Sequence, residues 1–242
     1  LLVNADVKGL EVVVAAQLSG DSTLRKEIID KEDIHANNQA AFGLGEGKAG
    51  RLIAKIFKFR LIYGGSAYSY AHDTDFMAVS SKEQFWQDVI DRYYAKYGGI
   101  AEWHQWLDYE AKTTGKLTVP SGRYYPFGYE QTKYGLKWPG TKVKNYPVQG
   151  FGADLVKLAR LEFSKRLKKS GLVALLISTI HDSIVVDCPP ENVYNVCKML
   201  KESIEAVPAL CKTVWGYDFT LPLTCEVSTG MNKRDMKEFV FE

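Results

Sequence analysis

The run Arg51-Leu52-Ile53-Ala54-Lys55-Ile56-Phe57-Lys58-Phe59-Arg60-Leu61-Ile62-Tyr63-Gly64 carries two patterns at helical period. Arg51, Lys55, Phe59 and Tyr63 recur at every fourth residue, so at about 100° per residue they form a slowly drifting stripe on one face, and Lys48 extends it. Ile53, Phe57 and Leu61 fall on the opposite face, where they can pack on a core. The spacing predicts a helix over about 47–62. Most cationic helix faces are simply solvated, but rings interleaved with cations suit phosphates beside a flat base or sugar.

Upstream of this helix, Gly43 to Gly50 places four glycines in eight residues, a flexible break. Residues 1–8 alternate weakly and predict a strand ending near Asp6. Leu10 to Leu18 is an apolar stretch that stops at Ser19-Gly20-Asp21, a turn and helix-start signal, and short helices are expected at about 21–31 and 33–42. Downstream, Ser80 to Thr114 reads as two packed helices, with Phe85, Val89, Tyr93, Trp103 and Trp106 as their apolar stripe. Residues 115–144 are rich in Gly, Pro, Tyr and Lys and predict a hairpin or long loop, in which Lys133, Lys137, Lys142 and Lys144 fall without an acid among them. A long helix is expected from about 147 to 169, ending before Gly171. Leu172–Ile177 and Ser183–Asp187 predict two strands around a tight turn at His181-Asp182. A helix at about 190–206 and a strand near Leu221–Val227 follow.

With 242 residues, 46% hydrophobic and 25% charged, the composition is that of an ordinary globular chain. Its 31 basic and 29 acidic residues leave a net charge of +2, so any nucleic-acid site has to be local. Cys188, Cys197, Cys211 and Cys225 form no CxxC pair and no metal-ligand spacing with the four histidines, which points to reduced thiols and an intracellular setting. The longest apolar runs are far too short to span a bilayer, and no signal segment opens the chain, so membrane and secretion readings drop out. Leu1 is not a methionine and leads directly into a strand, as expected of a piece cut from a longer protein.

Two carboxylates stand out by position. Asp6 ends the first strand and Asp182 sits in the turn of the strand pair. A carboxylate after a strand is usually a turn or cap residue. Two of them on rigid backbone could instead hold divalent cations, which take oxygen ligands and keep several for water and phosphate.

Arg51-x3-Lys55-x3-Phe59-x3-Tyr63-Gly64 resembles motif B of family A DNA polymerases, the fingers helix that closes over the incoming nucleotide. Asp6-Val7-Lys8-Gly9-Leu10-Glu11, followed by Ala15-Ala16-Gln17-Leu18-Ser19-Gly20-Asp21, resembles motif A, and Asp33-Ile34-His35 the short motif after it. Ile180-His181-Asp182 resembles motif C, and Asn145-Tyr146-Pro147-Val148-Gln149-Gly150 with Ala153-Asp154-Leu155 a helix start that contacts primer-template. The similarity spans essentially the whole chain.

The resemblance implies an α/β (α+β) polymerase right hand lacking the thumb: an antiparallel palm sheet over residues 1–20 and 116–242, and a mostly helical fingers region over 21–115. It implies template-directed addition of dNTPs to a primer by two Mg²⁺ ions, for which Mn²⁺ could stand in. Asp6, Asp182 and the Val7 carbonyl would be the metal ligands, and Arg51, Lys55 and His35 would bind the triphosphate. Lys55 would also neutralise the leaving pyrophosphate. Phe59 would lie against the sugar, Tyr63 near the template base, and Glu11 would block a ribose 2′-hydroxyl. Arg123, Asn145, Gln149 and His181 would touch primer-template DNA, although Asn145 and Gln149 could equally cap the helix that follows. The partners implied are primer-template, dNTPs and an upstream thumb and exonuclease region, in the same protein or a separate chain. The setting implied is the cytoplasm or nucleoid of a bacterial or phage-infected cell.

Some positions depart from the family pattern. Ser183 stands where a glutamate is usual, and His-Asp-Ser is what single-subunit RNA polymerases show. Those enzymes, however, have glycine at the Glu11 position and usually methionine at the Phe59 position, so the sugar-facing residues favour deoxynucleotides. Val7-Lys8-Gly9 replaces Tyr-Ser-Gln, Val13 replaces an arginine, and Thr141 stands where an arginine is common, with Lys142 and Lys144 able to supply the charge. Departures of this kind would suit a phage or other mobile-element polymerase. A non-catalytic, polymerase-like DNA-binding subunit is the rival of a different class, and the presence of both aspartates counts against it.

Overall fold

The computed structural model describes residues 1–44 and 47–241, and for His35, residues 47–49, Lys58 and Phe59 it describes the backbone alone. The chain divides into two compact units. The first comprises Leu1–Glu11, Pro120–Gly122 and Gln149–Glu242, and the second Val12–Val119 and Arg123–Val148. In chain order the elements are β1 (Leu2–Val7), α1 (Leu10–Ser19), α2 (Ser22–Ile29), α3 (Ile34–Phe42), α4 (Gly47–Ile62), α5 (Ala67–Ala71), α6 (Thr74–Met77), α7 (Glu83–Lys96) and α8 (Gly98–Thr114). There follow β2 (Lys116–Thr118), β3 (Tyr124–Pro126), β4 (Glu130–Thr132), β5 (Gly135–Lys137), α9 (Gly140–Ser170), β6 (Leu175–Ile180), β7 (Ser183–Asp187), α10 (Val193–Glu205), α11 (Val207–Trp215), β8 (Cys225–Gly230) and β9 (Lys237–Glu238). Among the described residues no helix is long and apolar enough to cross a membrane.

The first unit is built on an antiparallel sheet of order β6-β7-β1-β8-β9. β1 lies in its middle, pairing with β7 on one side and β8 on the other. Because side chains alternate along a strand, Val3, Ala5 and Val7 all turn to one face and are buried. Amphipathic α10 covers that face, burying Val196, Leu200 and Ile204 at helical spacing.

Several elements lie elsewhere than the sequence pattern places them. The apolar run Leu172–Ile177 predicts a strand there, but β6 occupies Leu175–Ile180. Its register is set by the two-residue turn at His181-Asp182 and by a bulge between Leu176 and Ser178, and neither depends on where the run begins. The last long strand is Cys225–Gly230 and not Leu221–Val227, since Pro222 has no N–H for a ladder; Leu221 and Leu223 are buried in irregular chain. α9 begins at Gly140, two turns before the expected start, and carries Pro147 inside it. Buried Val143 and Val148 hold the backbone helical across the proline, so packing overrides the lost hydrogen bond. The helix expected at about 190–206 is found as α10 at Val193–Glu205, and a further helix, α11, follows it with Pro208 as its second residue.

The second unit is largely helical around a cluster of aromatic rings. Phe57 of α4 sits 4.8 Å from Tyr70 and 6.0 Å from Trp86, ring centre to ring centre. In α7 and α8, Val89, Tyr93 and Trp103 are buried as expected, but Trp86 takes the core position expected of Phe85, and Trp106 is half exposed. The α8 positions that turn inward are Ile100, Trp103, His104, Leu107 and Ala111, and Trp106 lies off that stripe. Residues 116–137 form two short hairpins, β2–β3 and β4–β5.

Asp21 ties two helix starts together. Its carboxylate accepts from Leu24 N at 2.8 Å, capping α2, and from Gly99 N at 2.8 Å and Ile100 N at 3.3 Å, capping α8. The approach is close enough that a Cβ at Gly99 would stand 2.7 Å from Asp21 Cα, whereas one at Gly98 would meet nothing within 4 Å. Gly99→Ala is expected to lower stability in urea denaturation by about 1–3 kcal/mol, the usual range for overpacking, while Gly98→Ala leaves it nearly unchanged.

Candidate functional site

Two groups of residues carry the chemistry singled out above, one in each unit. In the first unit the end of β1 meets the β6–β7 turn. Val7 N donates to the Asp182 carbonyl oxygen at 3.1 Å, and Asp6 stands opposite Ser183 on β7 and Glu226 on β8. His181, first of the two turn residues, has φ +53°, a left-handed conformation uncommon for a residue with a side chain. The buried Ser183 hydroxyl donates to the Ile180 carbonyl at 3.0 Å, closing the turn from within.

The pairing brings Asp6 and Asp182 into one electrostatic neighbourhood. The Asp6 carboxyl is pushed above its ordinary value, first by burial and then by the negative charges of Asp182 and Glu226, with Lys233 opposing them. Glu226 is ion-paired with Lys8 at 2.9 Å. Nothing in the sequence marks Glu226, because its nearness to Asp6 depends on the β1–β8 register. Among the described residues no three carboxylate, histidine or cysteine side chains form a metal-binding group. Asp6 and Asp182 are carboxylates, oxygen donors of the kind hard cations accept. Glu11 lies in the first turn of α1 and is half-buried.

In the second unit, Arg51 and Lys55 lie exposed on α4. Arg51 forks onto Asp33, with Nη2 at 2.9 Å and Nε at 3.1 Å from Oδ2, and Asp33 Oδ1 also accepts from Ala36 N at the start of α3. The Asp33-Ile34-His35 segment and the α4 stripe are thus joined by a two-pronged ion pair. The side chains of His35, Lys48 and Phe59 lie outside the described residues, as do Gly45 and Glu46 of the glycine-rich break.

Tyr63 follows α4 directly, where the helix closes in a Schellman turn: Gly65 N donates to Arg60 O and Gly64 N to Leu61 O, both at 2.8 Å. Gly64 suits that position by its backbone conformation. Its φ is +80°, and a Cβ would stand 2.8 Å from Lys144 Cδ. Lys144 is thereby packed against the end of α4, and burial lowers its ammonium pKa, with Asp108 opposing the shift. Lys142 is paired with Glu130 at 2.7 Å. Arg123 is exposed ahead of β3, and its carbonyl accepts from Val119 N at 2.9 Å. Asn145 and Gln149 fall inside α9 and not at its start, so neither caps it. The Asn145 Oδ1 is buried without a hydrogen-bond donor among the described residues. Buried Asp154 accepts from the Ser121 hydroxyl at 2.6 Å.

Residues 1–235 match the family model described as DNA polymerase family A. The chain belongs to this family. It is 30% identical to the thermostable DNA polymerase I of Thermus aquaticus over 98% of its own length and 27% of the relative's. It is also 30% identical to DNA polymerase I of Aquifex aeolicus, over 97% of its own length and 39% of that protein. In fold it is similar to the POL domain of Pol1 from M. smegmatis, in complex with DNA primer-template and dNTP, with a TM-score of 0.81 and 20% identity over 95% of this chain and 39% of that one. The chain thus spans about a quarter to two-fifths of these relatives.

With its pKa raised in this family A chain, ionised Asp6 is expected to weaken the fold. The folded chain holds its proton more tightly than the unfolded chain does, so the loss grows as pH rises through the folded pKa and is absent below the ordinary value of 3.8. Asp6→Asn is expected to raise the melting temperature at neutral pH in a divalent-free buffer, and the two melting curves should converge as pH falls below 3.8.

Proposed function

We propose that the chain is the palm-and-fingers part of a template-directed DNA polymerase, which joins a dNTP to a primer 3′-hydroxyl and releases pyrophosphate. Membership of the family over residues 1–235 carries this reading. The palm would comprise residues 1–20 and 116–242 and the fingers 21–115. Since the chain spans 27% of the Thermus relative, the grip on the duplex belongs in this reading to an upstream region or a separate chain. The free thiols of Cys188, Cys197, Cys211 and Cys225 favour a reducing, intracellular setting.

Asp6, Asp182 and the Val7 carbonyl would hold Mg²⁺, and the like-charge crowding that raises the Asp6 pKa is what a divalent cation would offset. Two such ions, when bound, supply activation of the attacking hydroxyl and charge stabilisation on the phosphates. Arg51, Lys55 and His35 bind the triphosphate, and Lys55 neutralises the departing pyrophosphate. Arg51 would exchange the carboxylate fork of Asp33 for phosphate oxygens of similar geometry. Phe59 and Tyr63 border the sugar and base, and Glu11 fills the space a 2′-hydroxyl needs. Arg123, Asn145, Gln149 and His181 contact primer-template.

Primer extension, on this chain and on one extended upstream to its relatives' length, tests the metal and sugar assignments. Asp182→Ala is expected to reduce extension by on the order of a thousand-fold or more, the rate equivalent of several kcal/mol of lost charge stabilisation, with the circular dichroism melt retained. Undiminished extension would sink the metal assignment. Glu11→Ala is expected to narrow the preference for dNTP over rNTP by about ten-fold or more; equal use of both sets by the unmutated protein would point instead to RNA synthesis.

A further inference from the structure

The β4–β5 hairpin is anchored at its base and presents an unusual tip. At the base, Trp138 donates from Nε1 to Asp108 at 2.6 Å, its ring lies 5.4 Å from that of Tyr129, and Lys142 pairs with Glu130. These contacts matter because a two-stranded hairpin is marginally stable alone. At the tip, Lys133 and Tyr134 form the turn between Thr132 and Gly135, and the Thr132 hydroxyl donates to the Gly135 carbonyl at 2.8 Å.

Tyr134 is 87% exposed and Leu136 70%. Single exposed apolar residues are ordinary. Here, however, an almost fully exposed ring occupies a turn that a small polar residue would serve; exposed Lys133 precedes it in the turn, and exposed Lys137 follows at the end of β5, opposite Glu130. Lys133 Nζ stands 4.8 Å from the Tyr134 ring centre, so ring and cation form one preassembled surface. From Lys133 to Lys144 the sequence has four lysines and no acid, in a chain whose net charge is only +2.

We propose that this hairpin tip binds single-stranded nucleic acid, with Tyr134 stacking on an unpaired base and Lys133 and Lys137 neutralising the neighbouring phosphates. A flat ring between cations matches the alternation of base and phosphate along a single strand. In a duplex the base faces are covered by their neighbours, and only phosphates would remain for the tip. The proposal shares a nucleic-acid partner with the polymerase reading but none of its metal or nucleotide assignments, and binding without catalysis tests it separately.

The test is fluorescence anisotropy with a labelled mixed-sequence DNA 20-mer, the matching duplex and a polyglutamate peptide, in buffer containing EDTA. Tyr134→Ala is expected to weaken single-strand binding by about ten-fold or more, as stacking on one base predicts, and Tyr134→Phe should retain it. Lys133→Gln with Lys137→Gln should lower the slope of log K against log salt by about 1.4, or 0.7 for each phosphate released. Equal thermal melts for all variants confine these effects to binding. The proposal is overturned if the unmutated chain does not bind the single strand, or if Tyr134→Ala leaves that binding unchanged. It is likewise overturned if Tyr134→Ala weakens duplex or polyglutamate binding as much as single-strand binding.

Discussion

The antiparallel pairing of β1 with both β7 and β8 is the constraint on which the first unit depends. It is a central strand, so its register is fixed twice, and a slip of one residue on either side would turn Val3, Ala5 and Val7 away from α10 and Asp6 into the core. The same ladder places residue 6 between the turn at 182 on one side and residue 226 on the other. Apolar packing on one face thus holds like charges together on the other, an arrangement that free carboxylates would avoid.

In the second unit the corresponding role falls to helix ends. Asp21 satisfies the open N–H groups of α2 and α8 with one side chain, and the Schellman turn after Ile62 satisfies the last carbonyls of α4. These end caps fix where α4 stops and hence where Tyr63 sits. The ring cluster around Phe57 fixes which way α4 faces, leaving Arg51 and Lys55 outward.

Local signals in the sequence were enough for much of this. The α4 stripe gave a helix over 47–62, and the structure places α4 at Gly47–Ile62; the strand at the start of the chain and the tight turn at His181-Asp182 likewise follow from alternation and from polar residues between apolar runs. Features that depend on tertiary context were not legible. Pro147 is an ordinary helix-start signal, and only the burial of Val143 and Val148 carries α9 back through it. The continuous apolar run before the turn had no alternation to mark its register, so β6 was displaced. Asp6 and Asp182 were identifiable as strand-end carboxylates, but Glu226 joins them only through the β8 register, and the fork from Arg51 to Asp33 requires α3 and α4 to be folded together.

The Asp21–Gly99 contact restricts how this chain can exchange segments with its relatives. A chimera with one crossover between positions 21 and 99 takes the acid from one parent and the facing backbone from the other, and any side chain at 99 would collide with the backbone at 21. Crossovers outside that interval move both partners together. Segment swaps in the helical unit are therefore governed by a junction that lies outside the carboxylate site and carries none of its chemistry.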